Sequence, residues 1–250
     1  MLGRVFWLSV GTLGWRELVR FWRERARVVG FVASPLLFWF VLGSGFGNLR
    51  FFFPGTLTLT VLFSAVFSTM SLIEDRREGF LLSVLVSPAP RSAIVFGKTL
   101  GSAMLAWIQG LILLALSPLA GIHPSLGGLL GAGAAIFLVS VTFTLLGFLI
   151  AWRMESSQGF HAVMNLALFP LWMLSGALFP PANAHGWMRT VMAVNPLTYS
   201  LALLRRLLDP ASAAGSPGLG LSLLVTALCA LALLVASTAE ANRKSAGSSA

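Results

Sequence analysis

The chain has 250 residues, 57% of them hydrophobic and only 10% charged, with a mean hydropathy of +0.87 and a formal net charge of +9. That is more apolar surface than a soluble core of this length can cover, so the composition places the chain in a bilayer. The long runs are apolar on every face, which excludes a transmembrane barrel. The basic residues gather beside the ends of those runs, where they meet head groups rather than nucleic acid.

Residues 1–27 predict an amphipathic helix lying in the membrane interface. Trp15, Leu18, Val19 and Trp22 share one stagger, and Arg16, Arg20, Arg23 and Arg27 share the other. No small-residue cleavage site follows the short apolar stretch after Arg4, which argues against a removed leader. Six spans are then expected at 28–46, 51–73, 92–119, 126–152, 160–179 and 219–236, making one all-helical membrane domain over 1–250. Pro35 predicts a kink in the first span.

The second span runs without a loop into five consecutive ionisable residues, Glu74, Asp75, Arg76, Arg77 and Glu78. Ser71 and Glu74 have the spacing of a capping box, so a fresh helix is expected over 74–90, ended by Ser87-Pro88-Ala89-Pro90. Glu74 and Glu78 would share one face of it, and Phe80, Leu81, Val84 and Leu85 another. The 180–218 segment, longest between spans, contains Asn195-Pro196, an N-cap followed by proline at the first helical position. The helix it opens, from Leu197 to Leu208, is too short to span and too apolar for water, so 180–218 reads as a re-entrant or interfacial hairpin; a cap helix resting on the spans is the alternative.

On alternate sides of the six spans fall thirteen and four of the seventeen Lys and Arg residues. The positive-inside rule puts the richer side, with both termini and the charged stretch, in the cytoplasm.

Catalytic and metal chemistry finds little support. Gly97-Lys98-Thr99 looks like the end of a phosphate-binding loop, but Ser92 stands where the first glycine belongs and bulky residues fill the gap. Gly97 and Gly101 read instead as a small-residue packing face, with Lys98 reaching back to the interface. His123, His161 and His185 lack metal-site spacing, and Cys229, the lone cysteine, reads as a small buried hydrophobe. No charged residue is expected deep in a span, which disfavours an ion-coupled carrier. Gln109, His161 and Asn165 are the interior polar candidates, and each would equally serve to tie two helices together. If the chain moves cargo, the energy enters through the charged stretch. A solvated loop, or a membrane anchor that merely docks a soluble partner, is the competing reading.

The order of an acidic residue, a basic pair, Glu-Gly, an apolar turn, Ser-Pro and Gly-Lys opening a span, from Glu74 to Lys98, resembles the membrane subunits of type-two ATP-binding-cassette exporters. Asn195-Pro196-Leu197-Thr198-Tyr199 followed by Arg205 is similar to a second element of that family. The resemblance covers the whole chain. It implies a homodimer or pseudo-dimer in a bacterial or archaeal cytoplasmic membrane, joined to two cytoplasmic ATPase subunits that bind ATP and Mg, with no cofactor on this chain. It also implies that Glu74, Asp75, Arg76, Arg77, Glu78, Gly79 and Phe80 form the coupling contact. Arg153 and Glu155, in the short turn from Arg153 to Gln158, would make a smaller second one. Amphipathic or lipid-linked cargo would pass along a path for which Gln109, Asn165, Phe169, Trp172 and Tyr199 are candidates, although such aromatics also anchor spans.

Overall fold

The computed structural model describes residues 2–23, 25–86, 90–181 and 184–243. Among them the chain is helical throughout, with no strand: α1 (Leu2–Arg23), α2 (Arg25–Gly45), α3 (Leu49–Ser68), α4 (Ser71–Arg77), α5 (Phe80–Leu85), α6 (Arg91–Leu114), α7 (Leu126–Arg153), α8 (Ser157–Trp172), α9 (Gly186–Val194), α10 (Pro196–Leu208) and α11 (Leu219–Arg243). Among the described residues five segments are long and apolar enough to cross a membrane: Leu49–Arg77, Arg91–Leu114, Leu126–Arg153, Ser157–Ala177 and Leu219–Arg243. The helix α2 continues through Pro35.

The spans are not equivalent. Of the apolar window in Leu49–Arg77, 83% is buried, against 17% in Leu219–Arg243, so α3 is the axis of the bundle and α11 its outer edge. Burying α3 requires its hydroxyls to be satisfied internally. Thr56, Thr58 and Thr60 each donate to the carbonyl four residues back, at 3.1, 2.8 and 2.9 Å. Around α3 pack α2, α6 and α7, and α1 lies along α6.

The α1–α6 contact is close because glycines make it so. A Cβ on Gly101 would stand 2.9 Å from the Gly14 carbonyl oxygen, and one on Gly97 would stand 2.8 Å from Leu13 Cβ. The face of α1 turned toward the bundle is therefore Val10, Leu13, Glu17 and Phe21, all buried, while Trp7 and Trp15 point outward. This corrects a two-sided reading of α1: Arg16 and Arg20, assigned to the polar side, also turn toward the bundle and meet acidic partners there. The side chains of Trp22 and Arg27 lie outside the described residues.

A new helix does begin at Ser71, but its first amides are already bonded. A turn at Thr69 and Met70 joins α3 to α4, and the amide of Glu74 already bonds the Met70 carbonyl at 3.2 Å. With those amides bonded, Ser71 makes no cap; its hydroxyl accepts from Lys98 Nζ at 3.3 Å. The expected single helix over 74–90 is two short ones, broken at Gly79, whose φ of 76° is left-handed. Residues 87–89, expected to end it, lie outside the described residues.

Toward the other end of the bundle, α8 opens into a wide π-type turn at Met173–Ala177, with Gly176 at φ 91°. Such a turn frees carbonyls. Asn195 bridges the gap: its Nδ2 donates to the Leu171 carbonyl at 2.7 Å, while its Oδ1 accepts from the Leu197 amide at 2.9 Å and caps α10. Tyr199 ties α10 back to α9 through the Ala193 carbonyl at 2.7 Å. Nine of the thirteen residues of α10 are buried, and it packs on α7, α11 and α3. It thus lies against the ends of α3, α7 and α11.

Candidate functional site

Four segments converge at the end of the bundle where α3 passes into α4. From α1, Arg16 Nη1 donates to both carboxylate oxygens of Asp75 at 2.9 Å, and Arg20 reaches Asp75 at 3.2 Å and Glu74 at 2.7 Å. From α6, Lys98 Nζ sits between Asp75 and Glu17 as a double ion pair. From α4, Arg76 donates to the carbonyls of Met154 and Trp152 at 3.0 and 2.7 Å, and Arg77 donates to that of Glu155 at 3.1 Å. Arg153 in turn forms two hydrogen bonds with Glu240 of α11, at 3.2 and 3.0 Å.

Burial divides this cluster in two. Asp75 is fully buried, and Glu17 and Lys98 nearly so. Charges held that far from water persist only when paired and hydrogen-bonded, and here each is. Lys98 was expected to extend to the interface. The acidic pair Glu17 and Asp75 draws it inward instead. The accessible part is a different set: Glu78, 59% exposed and 3.7 Å from Arg20, with Arg77, Ser83 and Val86. Phe80 is covered by the Arg16 guanidinium, 3.9 Å from its ring centroid. The charged stretch therefore has an inner half that locks α1, α4 and α6 together and an outer half exposed at the surface.

Glu17 was not among the residues singled out from the sequence, although it carried a readable sign. It is an acidic residue on the Val10–Leu13–Phe21 stripe, and an acid on a buried stripe demands a buried cation.

Of the candidate path residues, Asn165, Phe169 and Trp172 gather on α8, where the Phe169 and Trp172 ring centroids are 5.9 Å apart, while Gln109 and Tyr199 lie elsewhere. Asn165 and Phe169 are exposed on α8 and line an open groove of about 480 Å³ between α2, α3 and α8, walled by Phe38, Phe63, Phe67 and His161. His161 stacks on Phe67 with centroids 4.7 Å apart. Trp172 is buried and donates to the Gly55 carbonyl at 2.7 Å, a packing role. Gln109 is buried in α6 with neither amide atom hydrogen-bonded among the described residues, and Tyr199 serves the α9–α10 hairpin. No cluster of three or more potential metal ligands occurs among the described residues.

The chain belongs to the ABC-2 type transporter family, whose model matches residues 9–208. It is similar to the ycf38 protein of Cyanophora paradoxa, 27% identical over 211 residues (79% of this chain, 73% of the relative). It is also similar to the daunorubicin resistance ABC transporter permease protein DrrB1 of Streptomyces coeruleorubidus, 26% identical over 229 residues (85% and 78%). Nodulation protein J of Rhizobium meliloti strain 1021 is 26% identical over 241 residues (91% and 88%). Membership makes the chain a multi-pass membrane transport subunit of a family that works in dimers with ATP-binding-cassette ATPases on separate chains.

Proposed function

We propose that this chain is the permease of an ATP-driven exporter in a bacterial or archaeal cytoplasmic membrane, moving an amphipathic or lipid-linked molecule outward. ATP and Mg belong to two cytoplasmic ATPase subunits. The permease acts as a dimer with itself or a homologue, each copy contributing six spans, with α2 as the first. Both termini and the α4–α5 segment face the cytoplasm, in keeping with the thirteen-to-four partition of basic residues.

The observation that carries this reading is the double attachment of α4. Its inner face is locked to α1 and α6 through Asp75, and Arg76 and Arg77 hold the turn after α7. A force applied by an ATPase to the outer half, at Arg77, Glu78, Ser83 and Val86, would reach α1, α3, α6 and α7 at once. The apolar groove with Asn165 and Phe169 suits an amphipathic cargo or the facing subunit. The name of the daunorubicin resistance permease supports an amphipathic drug-like cargo class by similarity.

The test is reconstitution with the cognate ATPase in vesicles. Glu78→Lys with Val86→Asp is expected to leave insertion and dimerisation intact while abolishing cargo-stimulated ATP hydrolysis and export. Normal export in that variant would overturn the coupling assignment, and docking without any ATP-driven flux in the unaltered chain would favour an anchor.

A further inference from the structure

At the opposite end of the bundle a buried cation lacks a counterion. Arg205 of α10 is 1% exposed, yet its Nε and Nη2 are sealed from solvent without a hydrogen-bond partner among the described residues. Its guanidinium lies 4.4 Å from the ring centroid of Phe51 at the start of α3, and Leu201 and Leu208, one turn to either side on α10, are buried. The flanking cations are satisfied. Arg206 donates to the carbonyls of Pro217 and Ser216 at 2.6 and 2.7 Å. Arg50 grips Asp209 through two 2.7 Å bonds.

Position makes the clasp a cover. Arg50 precedes Phe51, and Asp209 follows Arg205 by one turn, with its amide bonded to the Arg205 carbonyl at 2.8 Å. The clasp thus closes over the same two helix ends that hold the unpaired guanidinium. Its Arg50 side is 54% exposed and its Asp209 side 3%, so it can be opened from the surface. Were Arg205 only a packing residue, a methionine or leucine would fill the site without burying a charge. A planar guanidinium with open donors is suited instead to a two-oxygen anion.

We infer that Arg205 and Arg50 form a receptor for the phosphodiester of an anionic lipid at the membrane face remote from the charged knot. Asp209 is the internal stand-in that the head group displaces. The phosphate takes the place of Asp209 against Arg50 and supplies Arg205 with acceptors, while the acyl chains follow the apolar outer surface of α11. This site is independent of the coupling contact and of the α8 groove.

The test uses the full-length chain in nanodiscs of phosphatidylcholine with increasing phosphatidylglycerol, read by thermal unfolding. The midpoint is expected to rise by about 2–4 °C in a saturable way. Arg205→Gln should abolish the rise, Arg205→Lys should reduce it, and Arg243→Gln, at the other end, should keep it. An equal rise in Arg205→Gln would overturn the inference. So would the same shift produced by inorganic phosphate alone, which would make the ligand a free anion. If Arg205→Gln does not fold, Asp209→Asn decides: saturation at lower phosphatidylglycerol supports displacement of the clasp, and an unchanged titration refutes it.

Discussion

Arg76 Nη2 donates to the Trp152 carbonyl at 2.7 Å, so the segment after the second span holds the end of the helix two spans further on. With the second bond to Met154, this replaces the carbonyl partners that a helix C-terminus lacks. Arg76→Ala should destabilise the chain by about 2–3 kcal/mol, in line with hydrogen bonds made by a charged group. In a reconstituted exporter it should lower cargo flux more than ATP hydrolysis. Thermal unfolding and flux-per-ATP measurements check the two parts, and an unchanged ratio would remove Arg76 from coupling.

Asp75 is the counterion shared by Arg16, Arg20 and Lys98. Asp75→Asn leaves those cations undercompensated in a buried site and is expected to cost about 3–5 kcal/mol. Adding Lys98→Met should cost less than it does in the parent, because one of the two ion pairs of Lys98 is already gone. A double-mutant cycle by thermal unfolding measures this; strict additivity would show that the two residues do not share a site.

Enlarging Gly101 should separate α1 from α6. Gly101→Leu places a side chain where the Gly14 backbone already stands, and a loss of about 1–3 kcal/mol is expected from overpacking. A cysteine pair across α1 and α6 that cross-links efficiently in the parent should cross-link poorly in this variant.

Asn195→Ala removes both the α10 cap and the bond to Leu171, so it should lose about 1–2 kcal/mol and loosen the hairpin, visible as faster amide exchange across α9 and α10.

The Arg50–Asp209 clasp also sets a pH expectation. The Arg50 hydrogen bond holds the Asp209 carboxyl below the ordinary carboxylate range. A lowered folded pKa contributes stability above the unfolded value, about 4, and loses it as pH falls through the folded one. Asp209→Asn should therefore flatten the acid limb of the unfolding-midpoint profile below about pH 4 and leave its slope between pH 5 and 8 unchanged.

Much of the framework was readable because its signals are local. All-round apolar runs marked the long helices, and Asn195-Pro196 marked the start of α10. The final helix ran past its expected end at Ala236 to Arg243, since Glu240 finds Arg153 on another helix. The charged knot was legible as a cluster but not as a lock. Asp75 and Lys98 are 23 positions apart and Glu17 and Lys98 are 81 apart, and only the folded bundle sets them side by side. Ser71 misled for a related reason: α4 does begin there, but the turn at Thr69 and Met70 already supplies carbonyls to the Leu72, Ile73 and Glu74 amides, so no side-chain cap forms.

The glycine contact between α1 and α6 has an optical consequence. With Gly14 resting on Gly97 and Gly101, and Glu17 bound to Lys98, α1 is fastened to α6 and travels with it. Trp7 and Trp15, both 68% exposed on the outer side of α1, ride on that joint body. Any stroke delivered to the α4–α5 segment should therefore move two indoles relative to the bilayer surface. Their quenching by lipids labelled at defined depths gives the protein a native gauge of its own working cycle.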